Sequence, residues 1–152
     1  MIQVATYVVD DNALFVEAIK ELLLDRFRDL VLSRVLIMEF FNSPFDLIRA
    51  LKQQVHICII DFSMPGMNAP ELIRQIKNHS PDCRIILMTG IEDKNALVEA
   101  SDMGASTFVL KGAMQCMDRL CMHMDRMIEK TIRELTTEEQ IKKLTDELAR
   151  LK

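Results

Sequence analysis

Two adjacent aspartates, Asp10 and Asp11, interrupt an apolar run that begins at Val4. A third, Asp61, closes the run that begins at His56; Thr89 and Lys111 stand at the ends of two more. Carboxylates that converge repel one another unless a cation lies between them. A hard dication such as Mg²⁺ takes oxygen ligands and keeps several waters. It would leave Asp61 one oxygen with which to attack phosphorus, and a carboxylate can carry a phosphoryl group covalently. Phosphoryl transfer needs mainly positioning and neutralisation of the equatorial oxygens. The metal would supply one clamp and the Lys111 ammonium another, with the Thr89 hydroxyl donating a hydrogen bond. These residues therefore form a candidate phosphoryl-accepting site, provided that the fold brings them together.

The elements that must position them are legible from hydrophobic period. Residues 4–9, 35–41, 56–62, 84–88 and 107–110 are apolar or β-prone on both faces, as in strands buried in a parallel sheet. Between them the period becomes helical. Phe15, Val16, Ile19, Leu22 and Leu23 mark a first helix, which Asp11 or Asn12 can cap. Pro44 opens a second, expected to run to about Gln54. Leu72, Ile73 and Ile76 mark a third; Ala96, Leu97, Ala100 and Met103 mark a fourth, closed by Gly104. From Met114 onward the chain reads as helix. Strands alternating with helices predict an α/β fold, with an open parallel sheet covered on both faces. Ligands of such sheets lie at the carboxyl ends of the strands, where the strand order reverses. All five chemistry-bearing residues fall at such ends.

Val8-Val9-Asp10-Asp11, the run from Asp61 to Met67, Met88-Thr89-Gly90 and the run from Gly104 to Lys111 resemble, in order and spacing, the receiver domains of two-component response regulators. The resemblance covers residues 4–128. It implies a doubly wound, flavodoxin-like fold of five parallel strands in the order 2-1-3-4-5. It implies Asp61 as phosphoacceptor, with Asp10 and Asp11 organising Mg²⁺ and Asp11 the direct ligand, and the Ser63 backbone carbonyl completing the protein's share. Thr89 and Phe108 would be a switch pair. Their rearrangement would alter the face made by the helix over 96–103, the fifth strand and the last helix. The phosphoryl donor would be a sensor histidine kinase or a phosphotransfer protein, and small acyl phosphates are further donors. Three positions depart from the family pattern. Gly112 stands where proline usually follows the lysine, and a cis bond there would cost about 3 kcal/mol. Asn68-Ala69-Pro70 replaces a common Asn-Gly turn, with Pro70 tolerable in a first helical turn. Ile91 and Ser63 flank the expected path of attacking water, so the phosphorylated state is not expected to be exceptionally short-lived.

Composition bounds the alternatives. The chain has 152 residues, 49% hydrophobic and 28% charged, which suits one ordinary globular domain. A net charge of -4 gives no broad field for nucleic acid or an anionic membrane. Cys58, Cys83, Cys116 and Cys121 lack any zinc or disulfide spacing and read as reduced thiols of a cytoplasmic protein. His56, His79 and His123 read as structural or exposed, and the methionines from Met114 to Met127 as packing, with an adaptable partner surface as the lesser reading. Taken individually, Thr89 and Lys111 read better as strand ends and Phe108 as core; only their combination favours the site. The expected boundaries are a receiver domain over 1–130 and a helical extension over 131–152. The extension carries acid-to-base pairs at i,i+4 and a stripe of Ile141, Leu144, Leu148 and Leu151. It is expected as one long helix or as two, broken near Thr136, where Thr136/Glu139 and Thr137/Gln140 could form capping boxes. A homodimer through this helix or through the switch face, or a link to an output domain, is the expected use; a charged helix folded back on its own domain is the alternative. A turnover enzyme is not expected: a haloacid-dehalogenase-like phosphatase would place Asp-x-Asp on the first strand, whereas here the pair is adjacent. A phosphorylation-independent scaffold is the other alternative.

Overall fold

The structure, a computed structural model, describes residues 1–90 and 94–152. Five strands, β1 (Val4–Val9), β2 (Leu36–Phe41), β3 (Ile57–Asp61), β4 (Arg84–Thr89) and β5 (Thr107–Leu110), form one parallel sheet in the order β2-β1-β3-β4-β5. Side-chain alternation divides the core. Val4, Val8, Ile57, Ile59, Ile86, Met88 and Val109 face α1 (Ala13–Arg26) and α6 (Cys116–Arg150). Tyr7, Val9, Cys58, Ile60, Ile85 and Leu87 face α3 (Pro44–Arg49), α4 (Ala69–His79) and α5 (Lys94–Asp102). Both faces are covered, which is why the central strands β1 and β3 are buried throughout rather than alternating.

Local chemistry sets the helix ends. Asn12 caps α1, its side chain accepting from the amides of Leu14 and Phe15 at 3.1 and 3.2 Å. Asn68 caps α4 by accepting from Glu71 N at 2.9 Å, with Pro70 in the first turn. The segment between β3 and α4 turns at Gly66, whose φ of +86° is left-handed backbone that glycine adopts freely. Among the described residues no peptide bond is cis, that between Lys111 and Gly112 included.

The structure corrects one expectation, adds one short helix and decides between two readings of the last helix. The helix from Pro44 ends at Arg49, not near Gln54. The Tyr7 hydroxyl donates to the carbonyl of Ala50 at 2.9 Å, an acceptor that a continuing helix would need for itself. A short helix, α2 (Arg28–Leu32), follows α1 after a break at Phe27, whose side chain turns into the core. Finally, α6 has no break near Thr136. Thr136 and Thr137 do not cap; each hydroxyl donates back to the carbonyl four residues earlier, Ile132 at 2.7 Å and Arg133 at 2.9 Å.

The anchorage of α6 is lopsided. Leu120, Met124, Met127 and Ile128 enter the core, Thr131 is buried, and Leu135 is the last side chain packed against the sheet. At the amino end of β4, Arg84 donates to Thr131 Oγ1 at 3.0 Å and to Glu134 Oε1 at 2.6 Å. Beyond Gln140 every residue is exposed. The methionines divide accordingly: Met124 and Met127 are core, whereas Met114 and Met122 are exposed.

Candidate functional site

The carboxyl ends of β1, β3, β4 and β5 meet where the strand order reverses. Asp10, one residue past β1, is buried, and its Oδ1 accepts from Asn12 N at 2.9 Å. Asp61 is the last residue of β3, also buried, and pairs in register with Met88. Carboxylate oxygens of Asp10, Asp11 and Asp61 lie within 4.8 Å of one another, with Asp11 exposed at the rim. Lys111, just past β5, reaches over them. Its Nζ lies 2.6 Å from Asp10 Oδ2 and 3.0 Å from Asp61 Oδ1. Its own amide donates to the Thr89 carbonyl at 2.8 Å, locking the last two strand ends together.

The electrostatics follow from this enclosure. Burial raises the Asp61 carboxyl from 3.8 to about 6; Asp10 adds to the rise, while Lys111 and the Ser63 amide oppose it. The Ser63 amide donates to Asp61 Oδ1 at 3.4 Å. Burial also works against the Lys111 ammonium. Its hydrogen bonds to Asp10 and Asp61, with their charges, outweigh that and hold its pKa above the ordinary lysine value. One half-buried cation thus serves two buried carboxylates and leaves negative charge uncompensated. Three carboxylates at this separation, with water access through exposed Asp11, fit a hard dication that prefers oxygen ligands.

Asp10, Asp11, Asp61 and Lys111 are therefore brought together as the sequence suggested. Ser63 is exposed and follows Asp61 closely enough for its main chain to face the cluster's rim. Thr89 is buried at the end of β4. Phe108 stands opposite Leu87 in the β4–β5 register and packs, half-buried, on the α4/α5 side. Alternation puts Thr89, two residues after Leu87, on that same side of the sheet as a diagonal neighbour of Phe108. The pair is thus adjacent on the sheet. Ile91 lies outside the described residues.

One residue at the site escaped the sequence reading. The Phe15 ring lies under Lys111, with Nζ 4.4 Å from its centroid. Its period marked it only as part of the α1 core stripe; its position four residues after Asp11, one turn into the helix that leaves the site, is the signal that could have found it. The histidines are structural where their partners are visible: His56 Nδ1 accepts from Ala5 N at 2.9 Å. All four cysteines are free and buried.

A doubly wound parallel sheet with an acidic cluster and a lysine at its switch point defines the class. The family profile for the response regulator receiver domain matches residues 6–125. The chain belongs to this family, the receiver domains of two-component signalling. It is 26% identical over 106 residues to the glycerol metabolism activator of Pseudomonas putida, covering 70% of this chain and 46% of that protein. It is 32% identical over 89 residues to the DNA-binding transcriptional regulator NtrC of Klebsiella pneumoniae, covering 55% of this chain and 19% of that one. The chain spans less than half the length of the curated relatives it matches. Among solved structures, a CheY-like receiver domain protein from Methanospirillum hungatei superposes with a TM-score of 0.73 at 16% identity, covering 87% of this chain and 98% of that one. No helix among the described residues is long and apolar enough to cross a membrane.

Proposed function

We propose that this receiver domain accepts a phosphoryl group on Asp61 from a sensor histidine kinase or phosphotransfer protein in the cytoplasm. The observation that carries the reading is the Lys111 ammonium shared between Asp10 and Asp61 beside a third carboxylate. Asp10, Asp11 and Asp61, with the Ser63 carbonyl, would hold Mg²⁺. When bound, Mg²⁺ neutralises the carboxylates and the incoming phosphoryl oxygens. Among the described residues Lys111 and the Ser63 amide both contact Oδ1 of Asp61, which leaves Oδ2 to attack. The bond from Oδ2 to phosphorus forms as the phosphorus–nitrogen bond to the donor ring breaks; that ring, protonated on its other nitrogen, keeps the bonding pair and leaves as neutral imidazole. Lys111 then turns from Asp61 to a phosphoryl oxygen, and the Thr89 hydroxyl donates to another. Thr89 and Phe108, adjacent on one side of the sheet, carry the change to the face formed by α5, β5 and α6 and so to partner proteins. The reaction modifies the protein once; it is not turnover of a metabolite.

The test is intact mass after incubation with acetyl phosphate and Mg²⁺. One phosphoryl group is expected on the wild type, and none on Asp61→Asn or without Mg²⁺. Addition that ignores Asp61 would overturn the site. Failure to accept phosphate from either acetyl phosphate or a phosphohistidine donor would favour a phosphorylation-independent scaffold.

A further inference from the structure

The last turns of α6 leave their apolar residues exposed. Ile141, Leu144, Leu148 and Leu151 are 58%, 61%, 62% and 84% exposed. They do not continue the stripe by which α6 grips its own sheet. At about 100° per residue, the stripe of Leu120, Met124, Met127, Ile128 and Leu135 and that of the four tail residues point roughly 130° apart around the helix axis. The same chain therefore cannot cover both. Spacings of three, four and three residues place Ile141 and Leu148 at a, and Leu144 and Leu151 at d, of a heptad. The outward positions are Glu139, Lys142, Lys143, Asp146, Ala149 and Arg150, nearly all charged.

We propose that this tail is the dimerisation surface of the protein, and that its partner is a second copy, parallel and in register. The charges flanking the stripe select that arrangement. In a parallel coil each g residue faces the e residue five positions on in the other chain. Gln140 then meets Thr145, and Glu147 meets Lys152: one neutral pair and one opposite pair, with no like charges opposed. An antiparallel coil sets Glu147 against Gln140 and Lys152 against Thr145, matching no charge. A β-branched Ile141 at a with leucines at d favours two strands. The coil starts after Glu134, which is held by Arg84 of its own domain. Because the two stripes diverge, each domain lies outside the coil rather than across it. The surface does not depend on phosphorylation at Asp61.

Sedimentation velocity of the full chain tests this. A reversible dimer is expected for the wild type and a monomer, at equal concentration, for Leu144→Glu with Leu148→Glu. These residues are exposed, so the domain of that variant keeps its unfolding transition and still accepts phosphate on Asp61, which separates this result from the outcome at the site. Glu147→Lys is expected to weaken the dimer about fivefold, and adding Lys152→Glu to restore it. Leu151→Cys should cross-link between chains on mild oxidation, whereas Asp146→Cys, facing outward, should not. A wild type that stays monomeric at every concentration overturns the proposal. So does a dimer that survives Leu144→Glu with Leu148→Glu, because its interface then lies elsewhere, the switch face included. A dimer lost in that variant, but cross-linking no faster through Leu151→Cys than through Asp146→Cys, overturns the parallel register.

Discussion

At the scale of single residues, the charge state of Asp61 has a measurable thermodynamic consequence. Its carboxyl is raised from 3.8 to about 6 in the folded, metal-free protein. A raised pKa means that the folded state holds the proton more tightly, so this group's contribution to stability is fully present below about 3.8. It is lost as pH rises through about 6. Asp61→Asn has no such dependence. In EDTA the variant should gain on the wild type between pH 4 and 7.5, by about 1–3 kcal/mol in urea unfolding. A difference that is flat with pH would remove the claim that burial of this carboxylate is costly. Phe15 belongs at the same scale. Phe15→Leu keeps the apolar contact but removes the ring face under Lys111. We expect a loss of about 0.5–1 kcal/mol that disappears when Lys111→Met is already present, read by a double-mutant cycle.

At the scale of elements, β4 carries Thr89 at one end and Arg84 at the other, and Arg84 fastens α6 to the base of the sheet. Arg84→Ala should cost about 1–2 kcal/mol, since the buried Thr131 hydroxyl loses its guanidinium donor. It should also speed amide exchange in α6 beyond Thr131; unchanged exchange there would show that core packing alone holds the helix. The strands and their polar ends were legible because a strand buried on both faces stays apolar until it reaches the crevice, as at Val9-Asp10 and Ile60-Asp61. The end of α3 was not, because a distant hydroxyl, that of Tyr7, takes the Ala50 carbonyl. Nor was the course of α6 through Thr136 and Thr137, since threonine followed by acid reads as a cap whether or not the backbone breaks. Phe15 was hidden for a similar reason: spacing shows which face of a helix is inward, but not whether that face meets core or ammonium.

At the scale of the whole molecule, a two-sided core held by five strands adjoins a helix half of which has no body to lean on. The core should unfold cooperatively, and Leu72→Ala, at a fully buried position, should cost about 2–5 kcal/mol. Amide exchange should fall into two classes: slow over the sheet and over α6 up to Leu135, and fast over 140–150 under dilute conditions, where an isolated short helix is marginal. Protection of 140–150 that rises with protein concentration would follow from pairing of the tails; uniformly slow exchange at every concentration would not.

The attachment of α6 through Arg84 also sets a mechanical gain. From Thr131 to Arg150 the helix runs about 28 Å, at 1.5 Å per residue. If the helix pivots at the Arg84 contact, a rotation of about 10° there carries Arg150 by roughly 5 Å, close to one helical pitch. Whatever is fused to or gripped by the far end of this rod would see a sub-ångström adjustment of β4 as a displacement several times larger.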